Sequence, residues 1–296
     1  MNEFFQQLVN GLSLGSTYAL LALGLAIVFT IFGLVNFAYG ELITIGAYVM
    51  LACSNLGLPW YAQALIGICA AAVASLLMEF IAFRPVRHAD ATTMLITSFG
   101  VSIAVQAILV IVVSARSRTV PQPAWTAQTV SFAGLMVPAY QVITLLVTIV
   151  ALVAMVIVLR RTNFGLSMRA SAENFTTARL LGVRANRMVS SAFVISGVLA
   201  GIGAVLILAR TGGALEPTMG LAPVLKAFVA IVIGGIGSLS GAVVGGLALG
   251  VAEVMLRAYL PGQLTGLTDG ILFALVVVVI VLRPEGIMGI KERLRT

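Results

Sequence analysis

The chain has 296 residues, of which 60% are hydrophobic and only 9% charged, with 17 Lys+Arg against 10 Asp+Glu. A soluble domain carries roughly 25% charged residues, so that class is excluded. The short alternating segments of an outer-membrane barrel are not seen either.

Apolar runs of roughly 20 residues recur, the length needed to cross a bilayer as a helix. They predict an all-α, polytopic transmembrane helical bundle. Eight or nine segments can be placed, near 12–34, 37–56, 61–83, 93–114, 137–159, 189–209, 221–236, 238–259 and 264–283. The opening MNEFFQQLVN has no basic residue, and the apolar run after it is too long for a cleavable signal peptide, so it reads as the first membrane helix. The segment 221–236 is short for a crossing: a half-helix, or one half of a bent pair with 238–259.

The net charge of +7 would suit nucleic acid, but its position points to membrane lipid. Alternate connections divide the 17 basic residues into twelve and five. The larger set holds Arg84 and Arg87, the six arginines of 160–187, and Arg283, Lys291, Arg293 and Arg295. The smaller set is Arg116, Arg118, Arg210, Lys226 and Arg257. Basic connections stay in the cytoplasm, so the C-terminus is expected inside and, with nine crossings, the N-terminus outside. The outer connection 114–138 carries Trp125, read either as an interfacial aromatic or as part of a docking surface.

Charges inside apolar runs are costly. Glu79 reads as a helix-end residue reaching water, and Asp269 opens the last segment. Glu41 and Glu253 read as buried pairs or groups lining a path. Gly237, Gly241 and Gly245 stand four apart, as do Gly246 and Gly250, a spacing that lets helices approach closely. Gly234, Gly235 and Gly237 with Ser238 and Ser240 could instead break a helix and expose backbone polar groups. Gly33 and Gly40 repeat the seven-residue spacing of Gly234 and Gly241, a weak trace of an internal repeat. Cys53 and Cys69 read as apolar fillers, the single His88 as a loop residue, and no metal-ligand spacing, nucleophile–base pair or phosphate loop occurs, so no catalytic residue is assigned.

The polar insert at 160–187 predicts a short surface helix: Ser171 as N-cap, Glu173 near its start, Arg179 near its end and Gly182 as its stop. A solvated basic loop is the plainer reading. A helix between spans suits the transfer of force from a soluble partner.

NFAYGE (36–41), RPVR (84–87), MRASAENFTTARLLGV (168–183), GGIGSLSGAVVGG (234–246) with Glu253, and RPEGIMG (283–289) together resemble the permease subunits of branched-chain amino acid ABC importers. The resemblance runs in order from about Gly11 to Gly289. It implies one permease domain over 1–296 in a bacterial inner membrane, with a cytoplasmic coupling loop at about 160–188. It also implies a second related permease, two cytoplasmic ATP-binding subunits that hold the ATP, and an external substrate-binding protein. On that reading Arg169, Ala170, Glu173, Ala178, Leu181 and Gly182 belong to the coupling element. Asn36, Tyr39, Gly40, Glu41, Gly234, Gly235, Gly237, Ser238, Gly241 and Glu253 belong to the translocation path or a helix break. In the family NFA is often followed by His, whereas this chain has Tyr39. Relatives import urea or short amides, and the motifs do not separate those substrates from leucine, isoleucine and valine. An ion-coupled secondary transporter and a channel are the alternatives from other classes. A secondary transporter needs no coupling helix, and a channel needs an oligomeric selectivity ring.

Overall fold

The structure is a computed structural model and describes residues 2–33, 36–87, 89–132, 135–173, 185–283 and 286–288. Its helices are α1 (Asn2–Phe32), α2 (Tyr39–Asn55), α3 (Trp60–Met78), α4 (Ala91–Val112), α5 (Ala139–Arg161), α6 (Asn163–Glu173), α7 (Ala185–Arg210), α8 (Leu221–Gly234), α9 (Leu239–Tyr259) and α10 (Thr268–Leu282). Each expected apolar segment coincides with one of these helices. Six are long and apolar enough to cross a membrane, while α8 and α10 are shorter apolar helices.

Helix starts follow local chemistry. Pro59 and Pro138, with φ of −65° and −57°, precede α3 and α5; proline fixes φ and has no N–H to leave unpaired at a helix start. Ser238 caps α9, its hydroxyl accepting from the Gly241 N–H at 3.0 Å. After Met78, α3 widens into a π turn over Glu79–Phe83.

Long α1 is the central strut, packed along α9 and also against α7, α8 and α5. Small residues make that contact possible. A Cβ on Gly15 would meet the Leu247 backbone at 2.7 Å, and one on Gly11 would meet Val251 at 2.9 Å. Gly246 and Gly250 return the favour against Ala19 and Gly15. The two helices therefore run antiparallel with backbones nearly touching, as small residues spaced four apart allow. The glycine ladder is split, however. Gly241 and Gly245 press on α8, at Gly234 and Ala230, whereas Gly237 has φ +86° and lies in the turn before α9, not on its face.

Contacts define two ends of the bundle. At one, Gln6 of α1 bonds the Met136 backbone, Trp60 packs edge-on against Trp125 at 5.4 Å, and strand Arg118–Thr119 pairs antiparallel with Ala214–Leu215. A hairpin of Thr129–Phe132 with Leu135–Pro138 completes this cover. At the other end, Arg87 bonds Asn186, and the N–H groups of Ile287 and Met288 donate to the carbonyls of Ile233 and Gly234. The faces of α4 and α5 away from the core are apolar and exposed, as helix faces toward lipid or another membrane chain are.

Candidate functional site

The largest concentration of charge within the bundle joins α1, α8, α9 and α10. Lys226 sits five residues into α8 and donates to Glu253 Oε1 at 2.7 Å. Tyr18 donates to Glu253 Oε2 at 2.8 Å, and Arg257 reaches Oε1 at 2.7 Å from one turn further along α9. Asp269 lies 3.3 Å from Lys226, whose ammonium also stands 5.6 Å from the centre of the Tyr18 ring. Glu253 is fully buried and Lys226 is 9% exposed. Such a carboxylate persists because three donors replace its lost water; with one removed, the others face an apolar interior. Lys226 and Arg257 are thus not residues of an outer connection, as their placement among the apolar runs suggested, but members of this network.

Two cavities flank the network at the end covered by the strand pair. One, of about 430 Å³, is lined by Tyr18, Lys226, Met219 and Pro223; the other, of about 370 Å³, by Asn10, Tyr140, Gln141 and Arg257. Arg210, the last residue of α7, lines both.

A second polar cluster lies between α2 and α4. Ser102 and Gln106 donate to Glu41 Oε1 at 2.8 and 2.7 Å, while Oε2 of this buried carboxylate has no hydrogen-bond partner among the described residues. Around it α2 and α8 begin close together: a Cβ on Gly40 would lie 2.6 Å from the Gly220 carbonyl oxygen. Asn36 and Tyr39 are buried just beside this crossing, with Asn36 Oδ1 and the Tyr39 hydroxyl unpartnered among the described residues. Gly24 leaves room for that hydroxyl. The echo between Gly33–Gly40 and Gly234–Gly241 has no common geometry, because Gly234 and Gly241 touch whereas Gly33 is open and Gly40 meets Gly220.

Gly235, Gly237 and Ser238 form the turn between Gly234, the last residue of α8, and Gly241 in the first turn of α9, with Gly235 and Gly237 at φ +112° and +86°. One helix ends at Gly234 and the next begins at Leu239. The freed carbonyls of α8 are not bare, since Ile287 N and Met288 N donate to Ile233 O and Gly234 O at 2.8 and 2.9 Å.

Glu79 does not reach water. It is 1% exposed at the π turn, 3.1 Å from Arg87 and accepting from Ser190 at 3.0 Å, which ties α3 to α7. Cys69 is exposed, whereas Cys53 is buried.

The polar insert is organised differently from its sequence signals. Its helix α6 starts at Asn163, so Ser171 lies inside it rather than at its N-cap. Thr162 takes the start: its side chain accepts from the Gly165 N–H at 3.4 Å. Gly165 then packs against the Leu159 backbone, and the Arg169 guanidinium donates to the Leu159 carbonyl. Arg169, Ala170 and Glu173 belong to α6; Ala178, Leu181 and Gly182 lie outside the described residues.

The residues therefore fall into three separate places: the Glu253 network, the Glu41 cluster with the α2–α8 crossing, and α6 with the α8–α9 turn at the opposite end. Tyr18, Lys226, Arg257, Ser102, Gln106 and Gly220 were missed as site residues. For Lys226 the signal was present, a lone cation inside an apolar run, a position that membrane helices reserve for paired or functional groups.

The Glu253 network and the NFAYGE segment lie within a stretch shared with known proteins. Residues 7–281 match the family model described as branched-chain amino acid transport system, permease component. The high-affinity branched-chain amino acid transport system permease protein LivH of Escherichia coli K12 is 36% identical, over 98% of this chain and 96% of its own length. BraD of Pseudomonas aeruginosa, named as the corresponding permease protein, is 34% identical over 98% and 97%. A probable LivH permease of Methanocaldococcus jannaschii is 27% identical over 92% and 88%. A multi-pass bundle of apolar helices built around buried charge, matched over nearly its whole length, places the chain in the family of branched-chain amino acid transport permease components.

Proposed function

We propose that this chain is a membrane subunit of an ABC importer and forms part of the path for leucine, isoleucine and valine. The observation that carries this reading is the similarity to LivH and BraD over almost the entire chain. Residues 1–296 act as one permease unit in a bacterial inner membrane. It works with a second related permease, two cytoplasmic ATP-binding subunits and an external substrate-binding protein. The chain itself hydrolyses no ATP.

The end bearing Arg84, Arg87 and α6 faces the cytoplasm, in keeping with its excess of basic residues. The 160–188 stretch is the coupling loop, and α6 is its first part. Held to α5 through Gly165 and Arg169, α6 can pass a push on its exposed side into the bundle rather than dissipate it. Asn36, Tyr39, Gly40 and Glu41 are suited to the path, because backbone interruptions at membrane depth occur where a chain is buried or lines a cavity.

The test is reconstitution of the chain with two ATP-binding subunits, a second permease and a binding protein of such an importer. ATP-dependent uptake of radiolabelled leucine, isoleucine and valine is expected, with no uptake of urea and no ATP hydrolysis by this chain alone. Uptake of urea or acetamide in place of leucine, or leucine uptake by this chain without ATP, would overturn the assignment.

A further inference from the structure

The Glu253 network is balanced in charge apart from its neighbour. Lys226 and Arg257 are matched by Glu253 and Asp269. Arg210 has no carboxylate partner among the described residues; its guanidinium reaches the Tyr18 hydroxyl, and it stands at the wall between the two cavities. An arginine cannot shed its proton, and a guanidinium binds a carboxylate through two parallel hydrogen bonds. The larger cavity gives that carboxylate an apolar companion surface: Ile207, Met219 and Pro223 line it beside Tyr18 and Lys226. Its volume of about 430 Å³ lies in the range of small-molecule sites.

We infer that Arg210 is a carboxylate-binding residue for an apolar amino acid, held in the cavity between α1, α7 and the start of α8. The carboxylate sits at the guanidinium and the hydrocarbon side chain lies against Met219 and Pro223. Lys226 adds to the positive field without leaving Glu253. The cavity lies toward the end covered by the Arg118–Leu215 strand pair, the side from which an importer takes up substrate. The inference rests on the importer reading for the direction of travel; the carboxylate chemistry of the site does not depend on it.

The experiment uses the assembled importer in spheroplasts, with Cys53→Ala and Cys69→Ser and a reporter thiol at exposed, cavity-lining Ala222→Cys. Labelling is read on the purified chain. A negatively charged methanethiosulfonate should react about tenfold faster than a positively charged one, because the local field concentrates anions. Arg210→Gln should erase that preference and Arg210→Lys should keep it. Leucine should slow labelling several-fold, whereas leucinamide, which lacks the carboxylate, should not. Equal charge preference in wild type and Arg210→Gln would overturn the site. So would equal protection by leucine and leucinamide in the Arg210→Lys protein, which decides the matter if Arg210→Gln does not reach the membrane.

Uptake by the unsubstituted importer separates the two readings. Leucine import with no protection at Ala222→Cys leaves the importer standing and removes the site. Protection by leucine with no leucine import does the reverse.

Discussion

Gly40 and Gly220 touch backbone to backbone at the point where α2 and α8 begin, and neither position has space for a side chain. The contact lets two short helices start next to one another inside the bundle, beside buried Asn36 and Tyr39. Gly40→Val should destabilise the chain by about 1–3 kcal/mol, the usual cost of overpacking a filled interior. Gly100→Val is the control, since nothing lies within 4 Å of a Cβ there. Thermal unfolding in detergent compares them, and equal midpoints for the two variants would mean that the crossing tolerates separation.

Glu253 should matter more than any single partner it has. With Glu253→Leu, Lys226 and Arg257 lose their shared acceptor, and breaking a buried pair from one side costs about 3–5 kcal/mol. The double variant Glu253→Leu with Lys226→Met should recover most of that, because the half-exposed Arg257 can turn its head to water. Folded yield and unfolding midpoint for the two single variants and the double form a complete cycle. Additive losses would show that the pair is not coupled.

Hydropathy alone located the six described helices long and apolar enough to cross a membrane, because burying or lipid-coating a helix demands an apolar run whatever its neighbours are. The close face of α9 was legible for the same reason: Gly246 and Gly250 announce a backbone contact without naming the partner, α1. What stayed hidden was pairing across helices. Nothing local to Lys226 points to Glu253, 27 positions away, and nothing at Gly40 points to Gly220. The start of α6 was misplaced by a different route. Gly165 is needed near the start of α6 because the helix folds back on the Leu159 carbonyl. Thr162, one residue past α5, then supplies the cap that Ser171 had been expected to give.

The two ends of the bundle make a direct test of orientation. Ser117 lies at the strand-covered end and Thr162 between α5 and α6, and both are exposed. In a background lacking Cys53 and Cys69, Ser117→Cys should react with a membrane-impermeant maleimide applied to intact cells. Thr162→Cys should react only after the cells are opened. The opposite pattern would reverse the chain in the membrane and put α6 beyond the reach of a cytoplasmic ATPase.

Leu166 is 61% exposed on α6, between buried Gly165 and Met168. A leucine left outward on a helix whose neighbours are packed inward is suited to a contact that the isolated chain does not contain. If that contact is with an ATP-binding subunit, Leu166→Asp puts a charge into an interface that excludes water. An isolated charge there costs several kcal/mol, enough to break docking. The same change on a free surface falls within about 0.5 kcal/mol. Leu166→Asp should therefore reach the membrane at the normal level and fold with an unchanged midpoint, while uptake and the stimulation of ATP hydrolysis by loaded binding protein are lost. Leu166→Met, which keeps an apolar side chain of similar size, should retain both. Copurification of the ATP-binding subunits with the Asp variant at wild-type stoichiometry, together with normal uptake, would show that α6 only follows the membrane surface and that coupling runs through another part of the chain.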